Sequence, residues 1–175
     1  MAGSLIKIDE EIVTSAVASV TLTGIDSTYD VYMIRISGWT CSDDNQAPFG
    51  RVTVSGTGQT ANYVGAQKNL HSDSSFVNGY YSSGVSTGDK FYFAEEIGTG
   101  TSEQCNMTIY LFNFNNSSEY SFVTYEPVQW TQTPRLTGRI GGGVHTSAET
   151  NDGMEFFMNS GNITGGTYSL YGLKK

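Results

Sequence analysis

The chain has 175 residues, 9 basic and 17 acidic, for a net charge of −8. That length fits one domain with a core large enough to fold without disulfides. Ser, Thr, Gly, Asn and Tyr make up nearly half the sequence while helix-favouring Leu, Lys and Glu are scarce, which excludes a helical bundle or coiled coil. The acidic balance, with Lys174 and Lys175 as its densest basic cluster, excludes a phosphate-backbone binder and attraction to an anionic membrane surface. No apolar run is long enough to insert in a membrane.

In chain order, the opening residues 1–13 mix short apolar and acidic runs and lack the basic start and apolar core of a signal peptide, so an arm or a first strand is expected. Alternating runs then follow, separated by Gly, Asn, Asp and Ser clusters. They involve Val20 and Leu22; Tyr32, Ile34 and Ile36; Val52 and Val54; Phe91 and Phe93 on to Ile97; Cys105, Met107, Ile109 and Leu111; Tyr120 and Phe122; residues 136–147; Met154 to Met158; and Thr167 to Leu173. The period of two predicts eight or nine strands in an antiparallel, jelly-roll-like β-sandwich forming one domain over residues 1–175. Residues 56–88 are the weakest stretch, with only Tyr63 to Leu70 offering a helical turn.

Few residues suggest chemistry. Gly84 to Gly88 matches Gly-x-Ser-x-Gly, but Ser86 lies in a Ser/Gly loop that leads towards a strand, whereas a nucleophile elbow needs a helix there. His71 and His145 are too isolated for a zinc site, and Cys41 and Cys105, 64 positions apart, fit no metal or redox spacing and are expected as buried thiols, with a disulfide between them as the alternative. Gly141 to Gly143 lacks the Lys and helix of a phosphate loop and suggests a bulge or a close backbone contact. The Asp43–Asp44–Asn45 and Asn151–Asp152 turns lack regular calcium-loop spacing. The adjacent Glu95 and Glu96 would face opposite sides of a strand, so no carboxylate pair for glycoside hydrolysis stands out. The expectation is a non-enzymatic protein with no cofactor and no metal. Tyr63, Tyr80 and Tyr81, set among Ser, Gly and Asn, are the candidate receptor contacts, because stiff amphipathic tyrosines suit recognition of proteins or sugars.

Two segments carry a resemblance. Residues 18–38, ASVTLTGIDSTYDVYMIRISG, and the ending Ser160, Gly161, Asn162, Ile163, Gly166, Leu170, Tyr171, Gly172, Leu173, Lys174 resemble paired motifs in structural proteins of tailed bacteriophages. The match covers about a fifth of the chain, and its residues read as turn, bulge and strand rather than catalytic positions. The resemblance implies a jelly-roll-like module on the virion surface, assembled in the host cytoplasm, self-associating as a homotrimer and anchored on major capsid or tail proteins. A chain that is almost all sandwich suits an exterior capsid decoration or short appendage better than a long fibre. The alternative is a tail-fibre module that attaches to host surface glycan or protein.

Overall fold

A computed structural model describes residues 4–73, 77–80 and 88–174. These residues contain no helix and form two antiparallel sheets packed face to face. The larger sheet holds eight strands: β1 (Ser4–Val13), β3 (Val31–Cys41), β6 (Tyr63–His71), β7 (Val77–Tyr80), β9 (Cys105–Phe112), β10 (Ser121–Trp130), β11 (Leu136–His145) and β13 (Ile163–Lys174). Their spatial order is β1-β13-β3-β9-β10-β11-β6-β7. The smaller sheet has β2 (Ser19–Thr23), β12 (Gly153–Met158), β4 (Pro48–Val54) and β5 (Thr57–Gly58) in that order, with β8 (Phe91–Tyr92) also on β4. The all-β sandwich expected from the alternation is therefore present. The chain passes repeatedly from one sheet to the other, and β9, β10 and β11 form a continuous meander.

Among the described residues the thirteen strands exceed the expected eight or nine, and the four additions are β1, β5, β6 and β7. Residues 63–70 form a strand, not a helical turn. Its inward positions Tyr63, Gly65, Gln67 and Asn69 are mostly not apolar, so the period of two carries no hydrophobic signal there. The opening segment is a strand paired along β13, and its exposed edge carries Lys7, Glu10 and Glu11, charges that discourage further pairing.

The core lies between the sheets. Ile34, Ile36, Trp39, Ile109, Leu111, Val123, Tyr125, Tyr168 and Leu170 from the large sheet meet Leu22, Val52, Phe91, Met154 and Phe156 from the small one, with Phe93 and Ile97 from the loop after β8. Aromatic edges interlock across it: Trp39 lies 5.4 Å from Tyr168 and 5.8 Å from Phe156, and Phe93 lies 5.3 Å from Tyr125, all near T-shaped. Cys41 and Cys105 are buried free thiols, as expected, and burial raises them to about 11 and about 12.

Candidate functional site

The two segments that carry the resemblance meet in space. The turn after β2 is tied by Asp26, whose carboxylate accepts from the Thr28 amide at 2.8 Å and the Tyr32 hydroxyl at 3.0 Å. These bonds hold the exposed Asp26 carboxyl below its usual range. The turn delivers Tyr29 flat onto Gly172 of β13. A Cβ placed on Gly172 would lie 2.3 Å from the Tyr29 ring, so only glycine fits under it. At the other end, the turn from β12 into β13 has Gly161 at φ +72°. There Ser160 donates to Asp43 at 3.1 Å and the Asn162 amide donates to Ser42 at 2.9 Å. Gly166, at φ +134°, sits in the second of two register shifts that bend β13 against β3. Ile163 and Leu170 point into the core and Tyr171 points outward beside Met33 and Lys7. The motif residues form a packing unit joining β13 to β3.

The tyrosine candidates fare differently. Tyr63 is a correction: it is fully buried, its hydroxyl accepting from the Val52 amide at 3.1 Å and donating to the Gln59 carbonyl at 3.0 Å, so it offers no ring to a ligand. Its ring packs 4.8 Å from both Phe91 and His145. Tyr80 ends β7, paired opposite Ala66. Tyr81 and Ser86 lie outside the described residues; Gly88 bridges back to Tyr63 and the chain continues into β8.

A feature missed in the sequence is an aromatic strip on the outer face of the small sheet. Tyr92, Phe49 and Phe157 stand side by side, with ring centroids 5.4 and 5.8 Å apart. Lys90 lies 4.9 Å above Phe49 and Arg51 lies 4.5 Å above Phe157. Asp89 pairs with both cations. Beside the strip, Ala47, Phe49, Asp89, Lys90, Tyr92 and Asn159 line an open groove of about 410 Å³. Phe49 and Phe157 belong to different strands and pair only through the β4–β12 register, so sequence spacing carried no trace of them.

The ionisable groups between the sheets serve as ties. Arg139, buried on β11, meets Glu95 at 2.5 Å and stacks 4.3 Å over Tyr92. Glu95 also lies 3.7 Å from His71. Arg135 binds both carboxylate oxygens of Glu96 at 2.9 Å. Glu95 and Glu96 thus engage different arginines, as their expected divergence requires, although Glu96 sits at φ +58° in a turn rather than in a strand. The Gln129 amide donates to the Glu95 carbonyl and fastens the same loop to β10. His145 is buried, which lowers its basicity and keeps it neutral near pH 7. Asp152 is spent on the Thr53 hydroxyl at 2.7 Å and the Gly56 amide at 3.0 Å. The close approach at Gly141 is internal, under the Tyr125 ring. Among the described residues, no three His, Cys, Asp or Glu side chains gather as a metal ion requires. The fold defines an all-β sandwich in which Arg139 and Arg135 tie the loop after β8 to β11 and to the turn before it. No family model, curated protein or solved structure matches the chain.

Proposed function

We propose that the chain is a non-enzymatic structural protein of a tailed-phage particle, a jelly-roll-like exterior decoration or short appendage that packs with copies of itself and with capsid or tail proteins. The supporting observation is the convergence of the two motif segments, Tyr29 on Gly172, in one framework unit: the residues that resemble those of phage structural proteins have packing roles in the sandwich. The test is to purify particles from a phage lysate carrying the gene and search them for this chain at stoichiometric levels. Gold-labelled antibody then locates it on head or tail. A chain absent from the particles overturns the reading.

The groove beside Phe49 and Tyr92 favours a second reading, attachment to host surface glycan. Half-buried rings with Asp89, Lys90 and Asn159 around them supply an apolar lining plus donors and acceptors for sugar hydroxyls. Host-cell binding lost on Phe49→Ser, with thermal stability retained, would support it. Binding unaffected by that change would remove this groove.

A further inference from the structure

We infer that the outer face of the large sheet is a docking surface for a second copy of the chain, packed sheet to sheet about a two-fold axis along β11. On this face Tyr110, Phe122, Val128, Trp130, Leu136 and Ile140 are between 39% and 57% exposed. At about 150–250 Å² per large side chain they present roughly 500 Å² of apolar surface. That is at the upper end for the largest patch on a monomer, about 300–600 Å². With the half-buried Val64, Leu70, Phe112 and Val144 around it, the face approaches the ~800 Å² that each partner gives to a stable interface.

Charge selects the occupant. The chain carries −8, yet the outward positions of β6, β11, β10 and β9 hold one cation, Lys68, and one anion, Glu126. A contact on this face therefore adds almost no like charge to the repulsion between two copies that each carry −8.

The register also makes the face self-complementary. Ile140 pairs with Lys68 on one side. On its other side lies Glu126, between the Tyr125–Gly141 and Val128–Gly138 pairs. Rotating a second copy by 180° about an axis parallel to β11 through Ile140 lays its β6 over β10 of the first. Row by row, Phe122 then faces Val64, Thr124 faces Ala66, Glu126 faces Lys68, Val128 faces Leu70, and Ile140 faces its own equivalent. Such an isologous contact repeats each off-axis pairing twice, with the Ile140 self-contact once on the axis. Gly138 and Gly142 leave β11 low between its neighbours, so two sheets can close to about 10 Å.

This inference does not depend on the particle reading and is tested on the purified chain. Light scattering coupled to size exclusion should give twice the 19.0 kDa chain mass at about 100 µM. Ile140→Asp should give the monomer. Lys68→Glu and Glu126→Lys should each weaken association by about tenfold or more, and the double exchange should recover most of the loss. All three side chains are exposed, and unchanged thermal unfolding of the variants when dilute confirms that they fold. A wild-type monomer at that concentration overturns the inference. So does any oligomer, three-fold ones included, that survives Ile140→Asp, or a double exchange no better than the singles.

Discussion

Gly172→Ala tests whether the two motif segments form one packing unit. The new Cβ would lie 2.3, 2.4 and 2.6 Å from three atoms of the Tyr29 ring, including the Cγ that anchors it. Ordinary contact needs at least 3.4 Å, so the whole ring must retreat by about 1 Å, and the cost is that of overpacking, about 1–3 kcal/mol. Retreat is blocked on one side by Tyr32, which meets Tyr29 edge to face at 5.6 Å. The φ of Gly172 lies outside the left-handed region, so alanine adds no backbone strain, and it recovers about 0.5 kcal/mol of unfolded-state entropy. The net loss is about 1.5 kcal/mol, or about 3–6 °C in Tm for a chain of this size. Thermal and urea unfolding measure it. In a Tyr29→Ala background the same change should be neutral or slightly stabilising, because the obstacle is gone. An equal loss in both backgrounds would refute the packing argument and locate the effect in β13 itself.

Three further outcomes follow from the buried polar groups. Arg139→Ala removes the partner of Glu95 and leaves a hole over Tyr92; a loss of about 2–4 kcal/mol in urea unfolding is expected, below the range for a fully buried pair because Glu95 is partly exposed. Burial holds the folded-state pKa of His145 below its ordinary 6.5, so the unfolded chain binds more protons there and stability falls as pH drops through about 6.5. Chemical denaturation between pH 7.5 and pH 5 should show this slope, and His145→Gln should flatten it. Both cysteines should resist a thiol reagent in the native protein and react in denaturant, since burial pushes them up to about 11 and about 12.

The sheet class was legible because strands that cross the core alternate cleanly, as in Cys105, Met107, Ile109 and Leu111. The turn at Gly161 and the bulges near Gly165 and Gly166 were legible because glycine and asparagine there have a backbone job. β6 was not, since its inward residues include Gly65, Gln67 and Asn69, which cover polar partners at one end of the sandwich. The Arg139–Glu95 tie was invisible for a different reason: 44 residues separate its partners and only the closing of the loop after β8 onto β11 brings them together.

β10 shows how apolarity misleads where a sheet is sticky on both faces. Read by hydrophobicity, Phe122, Val128 and Trp130 belong inside, and the strand was expected to start from Tyr120 and Phe122. The structure turns those residues out and buries Ser121, Val123, Tyr125, Pro127 and Gln129. The inward polar groups have specific partners. Ser121 accepts from Asn151 at 2.7 Å, Tyr125 meets Gln67 at 2.9 Å, and Gln129 reaches the Glu95 carbonyl. A one-residue slip would bury Phe122, Val128 and Trp130, but it would also bury Glu126 unpaired and strand all three of those bonds. The polar inward contacts therefore fix the register against the hydrophobic gradient. The outward apolar row is a surface that a free monomer gains nothing by carrying, and its neutral, self-matching charge pattern is what a second copy would meet.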